Sequence, residues 1–142
     1  MSAELHALYQ EVILDHHRQP RNYRVIAGGH EAERHNPICG DRVTVYVDVE
    51  GEVIRDAGFQ ASGCAIVRAS ASMMTESVIG RTAAEVRALA KRFHQMIAAP
   101  PGTPTEDLGA LAVLASVRPF PIRIKCATLP WEALRAALPS CE

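Results

Sequence analysis

Val43-Thr44-Val45-Tyr46-Val47-Asp48-Val49 places a valine at every second position. A period of two in a stretch rich in β-branched residues describes a strand with one face toward a core. Glu50-Gly51 follows as a turn signal, and Val53 to Gln60 returns as a second strand. An antiparallel hairpin is thus the centre of the chain.

Upstream, Leu5, Leu8, Tyr9, Val12 and Ile13 recur at helical spacing. They predict a helix over about residues 3–17, ended by Pro20, with Gly28-Gly29 breaking the chain again. A third strand is expected around Val25 to Arg34, although its alternation is poor. Downstream, Ala65 to Ile79 contains neither Pro nor Gly and reads as a helix stopped by Gly80. Its small Ala69-Ser70-Ala71-Ser72 segment suits close packing. Thr82 with Glu85 three residues on forms a capping box for a helix reaching about Ile97. Pro100 to Pro104 reads as a rigid loop and Thr105 to Ala115 as a short helix. Arg118-Pro119-Phe120-Pro121 interrupts before a last helix carrying Cys126, Leu129, Leu134 and Leu138, with Pro130 near its first turns. Helix, strands, then helices indicate a single α+β domain over residues 1–142, with a small antiparallel sheet and five helices.

Hydrophobic residues at 48% of 142 suffice for a core without disulfide staples. A net charge of −1 lends no support to a nucleic-acid or polybasic membrane partner. No apolar run approaches the roughly 20 residues of a membrane helix, and the N-terminus lacks a secretory pattern. The expected compartment is therefore the cytoplasm, where Cys39, Cys64, Cys126 and Cys141 stay reduced.

The chemistry concentrates in three places. In Asn36-Pro37-Ile38-Cys39-Gly40-Asp41, a thiol and a carboxylate flank a glycine, so both side chains can face one point. Both are zinc ligand types; the fragment alone is equally compatible with an ordinary turn Asp beside a half-buried cysteine. Cys64 stands in Ser62-Gly63-Cys64-Ala65, where a strand gives way to a helix whose N-terminal partial charge suits a thiolate. A buried structural cysteine fits that corner as well. Cys126 follows Arg123 and Lys125 but is flanked by apolar Ile124 and Leu129, so it reads either as a cation-supported thiolate or as a core residue. Cys141 sits at the chain end and reads as a free thiol. His16 and His17 close the first helix, where positive charge suits its dipole, and His35, though only four residues before Cys39, reads as an ordinary residue more than as a metal ligand. Trp131 and the Met73-Met74 pair read as core. No spacing here is a local metal motif, so periodicity cannot bring the three sites together.

Four ordered stretches carry a resemblance: Leu8 to Tyr23, Asn36 to Asp41, Gly63 to Met74, and Lys125-Cys126-Ala127-Thr128-Leu129. Together they resemble the IscU/SufU-type iron–sulfur assembly proteins, the NifU N-terminal-like family, over nearly the whole length. The resemblance implies a three-stranded sheet flanked by helices, and one metal site formed by Cys39, Asp41, Cys64 and Cys126. Lys125 stands where the scaffold branch has a histidine, and residues from about Gln95 to Val117 look like the insertion of the zinc-containing SufU branch. That branch implies Zn²⁺ and a sulfurtransferase partner of a PLP-dependent cysteine desulfurase, rather than a stand-alone enzyme. Cys39 would be the sulfur acceptor, with Asp41 and Arg123 completing the reactive site and downstream iron–sulfur assembly proteins as further partners. The alternative is a scaffold assembling a [2Fe-2S] cluster on Cys39, Cys64 and Cys126. A structural zinc domain that only binds partners is the third reading.

Overall fold

The computed structural model describes residues 3–37, 40–100, 102–103 and 108–138, with side chains from residue 11 onward except at 110. The elements run α1 (Ala3–Arg18), β1 (His30–Asn36), β2 (Asp41–Glu50), β3 (Val53–Ser62), α2 (Ala65–Val78), α3 (Ala83–Ala98), a 3₁₀ helix (Gly109–Val117) and α4 (Pro121–Ala137). The sheet is antiparallel in the order β1-β2-β3. The expected α+β class, with three strands and five helices, is what the described residues form.

The hairpin follows from its alternation. Val43, Val45 and Val47 on β2 and Ile54, Ala57 and Phe59 on β3 are fully buried on the sheet's inner face. Each such Val, Ile or Phe contributes roughly 1.5–3 kcal/mol on leaving water. Glu50 pairs with Val53 around Gly51-Glu52, with Gly51 at φ 62°. The third strand, His30–Asn36, lies further along the chain than the expected Val25–Arg34 stretch. It is an edge strand whose side chains, save Ala32 and Asn36, are exposed, so no core alternation marks it. The opposite edge, β3, is met by the segment after α1: Phe59 N–H donates to Asn22 O at 3.1 Å, and the Tyr23 ring stands edge-on to Phe59.

α2 is central and buried nearly all round, packing against α1, α4 and β3. Its serines make that closeness possible. Ser70 Oγ donates to Ala127 O of α4 at 2.6 Å, while Ser72 Oγ lies 2.7 Å from His16 Nδ1 of α1 and accepts from Arg21 N–H at 2.9 Å. The Thr82–Glu85 capping box opens α3 as expected. Phe93 of α3 stacks on Trp131 of α4 with ring centroids 4.6 Å apart, and Met73 and Met74 are core residues too.

Two expectations in the C-terminal third are corrected. The short helix is 3₁₀ and runs Gly109–Val117; its expected start at Thr105 lies outside the described residues. The last helix begins at Pro121, inside the stretch expected to interrupt the chain. A proline at the first helical position loses no bond and presets φ, so it starts a helix as readily as it ends one. Cys126 consequently sits more than one turn inside α4, and Pro130 lies mid-helix, where it cannot donate back to the Cys126 carbonyl.

Candidate metal centre

Three elements meet at one point. Asp41 is the first residue of β2 and is 1% exposed. Cys64 is the N-cap of α2 and half-buried, and Cys126, on α4, is fully buried. Their ligand atoms all lie within 4.8 Å of one another.

The hairpin register brings the first two together. β2 and β3 pair Arg42 with Ser62, so the start of β2 lies beside the exit of β3 into α2. The Asp41 carboxylate spans that corner. Its Oδ1 accepts the Cys64 backbone N–H at 3.0 Å, and its Oδ2 accepts from Cys64 Sγ at 3.7 Å. One oxygen is thereby tied to the α2 N-terminus, whose partial positive charge favours an anion, while the other faces the thiols. Gly63 leaves the room for this: it adopts φ +135°, and a Cβ there would fall 2.1 Å from Asp41 Oδ1.

The electrostatics are those of crowded acids. Burial, reinforced by hydrogen bonds to Asp41 and Cys64 and by their negative charges, pushes the Cys126 thiol well above its ordinary range. The charge of Cys64, with hydrogen bonds to Cys126 and Cys64, raises the Arg123 pKa above its ordinary value. Arg123 is otherwise exposed, one helical turn before Cys126.

This donor set fits a zinc ion. Ligands of a tetrahedral zinc at about 2.1–2.3 Å stand roughly 3.4–3.8 Å apart, and the Cys64 Sγ–Asp41 Oδ2 separation of 3.7 Å falls there. A divalent cation would also reverse the cost of placing negative charge on Cys126, since a bound metal deprotonates a coordinating thiol.

Of the residues singled out in the sequence, Asp41, Cys64, Cys126 and Arg123 converge. Cys39 lies outside the described residues, as does Cys141. Among the described residues, Gly40 N–H donates to Asn36 O at 2.8 Å. Arg42 is exposed. His35 is exposed on β1 and is not part of the cluster; with Asn36, Pro37, Lys125, Thr128, Leu129 and Glu132 it lines a separate cleft of about 260 Å³. What sequence reasoning missed is the role of Gly63 toward Asp41. A glycine at a strand–helix corner beside a candidate ligand is a general signal of close approach, but it does not name the approaching group.

Among the described residues, no helix is long and apolar enough to cross a membrane. The family model described as the NifU-like N-terminal domain matches residues 8–138. The chain is 40% identical over 133 residues to the zinc-dependent sulfurtransferase SufU of Bacillus subtilis (strain 168), covering 94% of this chain and 90% of that one. It is 38% identical over 136 residues to the iron–sulfur cluster assembly scaffold protein IscU of Streptococcus pyogenes serotype M1, covering 96% and 86%. The crystal structure of FiSufU from Fervidobacterium islandicum AW-1 superposes with a TM-score of 0.84 at 34% identity, over 94% of this chain and 98% of that one.

Proposed function

This chain belongs to the NifU-like N-terminal domain family of iron–sulfur cluster assembly proteins, and on that basis we propose that it is a zinc-dependent sulfur acceptor serving a PLP-dependent cysteine desulfurase. The observation that carries the reading is the meeting of Asp41, Cys64 and Cys126, from three separate elements, within 4.8 Å. Cys39 is the fourth ligand in this reading. Two residues of chain span at most about 7 Å, so covalent connectivity keeps Cys39 near Asp41. Bound zinc would hold the thiols as thiolates at neutral pH and offset part of their charge.

Cys39 is also the acceptor. Its thiolate attacks the outer sulfur of a cysteine persulfide on the desulfurase. A sulfur–sulfur bond forms on Cys39 as the donor's sulfur–sulfur bond breaks, and the donor cysteine leaves as a thiolate. One anion replaces another, so the transfer needs no oxidant. Arg123 offsets negative charge at Cys64 and Cys126, and Asp41 supplies a harder oxygen donor among softer sulfurs. The activity belongs to the pair of proteins, and the expected setting is the cytoplasm, with downstream iron–sulfur assembly proteins taking the sulfur onward.

The test joins two measurements: metal content of protein purified without added metal, and desulfurase turnover with wild-type or Cys39→Ala protein. Stoichiometric zinc and loss of stimulation in the variant are expected. Undiminished turnover with Cys39→Ala would refute the acceptor role. The name of the Streptococcus pyogenes relative favours a second reading, in which a [2Fe-2S] cluster is built as cargo on Cys39, Cys64 and Cys126. A stable, transferable cluster after anaerobic reconstitution, with no zinc in the isolated protein, would select it.

A further inference from the structure

We infer that Gly63 is a positioning residue for the metal centre: the space of its missing side chain is the seat of the Asp41 carboxylate. The inference rests on the reading of Asp41 as a ligand. A Cβ at Gly63 would fall 2.1 Å from Asp41 Oδ1, 2.9 Å from Cγ and 3.0 Å from Cα. The last contact is with backbone of β2, whose register against β3 continues from Arg42 opposite Ser62, so the strand cannot simply slide aside. The carboxylate would have to turn away instead. It would then give up the Cys64 N–H at 3.0 Å and its place 3.7 Å from Cys64 Sγ. Asp41 is 1% exposed, so a displaced carboxylate would lose these partners in a buried setting, at a cost.

Other glycines serve different ends. Gly40 and Gly51 also have positive φ, at 74° and 62°, but a Cβ there would meet nothing within 4 Å. Their need is conformational alone. Gly29 and Gly58 sit against backbone carbonyls of Val47 and Arg24. Gly63 alone among the described glycines combines a positive φ with contact to a candidate ligand. It therefore answers two demands, a φ of +135° that L residues rarely adopt and an empty volume beside a carboxylate, and a double-mutant cycle separates them.

Zinc affinity is measured by chelator competition, and coordination by the visible spectrum of the Co²⁺-substituted protein, for wild type, Gly63→Ala, Asp41→Ala and the double variant. Gly63→Ala is expected to bind zinc about 10–100-fold more weakly, the range for residues that orient a ligand. Its Co²⁺ spectrum should resemble that of Asp41→Ala. The double variant should be no weaker than the weaker single variant, because no carboxylate remains to displace. Wild-type affinity in Gly63→Ala, or a double variant losing the product of the two single effects, overturns the inference while leaving Asp41 as a ligand. Wild-type affinity in Asp41→Ala, or no zinc binding by wild type, refutes the ligand reading itself and the inference with it. Circular dichroism reports folding: recovery in the double variant of a fold lost in Gly63→Ala supports the seat, and loss of fold in both overturns it.

Discussion

Ser70 and Ser77 stand on the same helix and both donate to a backbone carbonyl, yet Ser→Ala should act oppositely at the two sites. Ser70 Oγ reaches across to Ala127 O at 2.6 Å, between two fully buried residues. A net hydrogen bond contributes about 0.5–1.5 kcal/mol, and a buried group left short of a partner costs about 1–3 kcal/mol. Ala127 keeps its second lone pair for its own helix, so the lower half of that range applies. Replacing Ser by Ala in a helix interior returns up to about 0.5 kcal/mol of propensity. The net loss for Ser70→Ala is therefore about 0.5–2 kcal/mol. For a domain of this size, about 3–5 °C of Tm accompanies each kcal/mol, so a fall of about 2–10 °C is expected. Ser77 Oγ bonds Met73 O of its own helix at 2.8 Å, at a half-buried position. That bond competes with backbone geometry and contributes little to the fold, so Ser77→Ala should leave Tm unchanged or raise it by a degree or two. Both variants are compared by thermal and urea denaturation in excess chelator, which removes metal linkage from the reference. Equal shifts in the two variants, or a Ser70→Ala shift below about 1 °C, would refute the reasoning that the α2–α4 contact depends on this bond.

Acidification should weaken the metal-free fold through His16, whose pKa is lowered first by burial and then by the Arg21 charge, with Glu76 and Asp15 acting the other way. Below about pH 6.5 the unfolded chain takes up a proton that the folded chain resists. The His16 contribution is thus fully present above pH 6.5 and is lost as pH falls toward the depressed folded value. Urea midpoints at pH 7.5 and 5.5 should diverge less in His16→Gln than in wild type, and equal divergence would exclude His16 as the cause. Zinc added to metal-free protein should raise stability by about 2.7 kcal/mol when free zinc is 100 times Kd. Cys126→Ala should remove most of that gain, read as a Tm shift with and without zinc.

The hairpin and α3 were legible because their signals are local. Alternation from Val43 to Val49 needs only its own side chains, and the Thr82–Glu85 capping box closes within one turn. β1 lies later than its expected position because an edge strand exposes most of its residues and carries no buried alternation. The start of α4 was missed because Pro121 looks the same whether it breaks a helix or begins one.

By itself the sequence determined the α+β class and the donor types at Asp41, Cys64 and Cys126. Those follow from short-range periodicity and from what thiols and carboxylates are. Only the tertiary structure decided that these donors meet, since the hairpin register sets Asp41 beside the start of α2 and the α2–α4 packing brings in Cys126. It also decided that a glycine holds space for a carboxylate, because a missing atom acquires meaning only when a distant part of the chain comes to occupy its place.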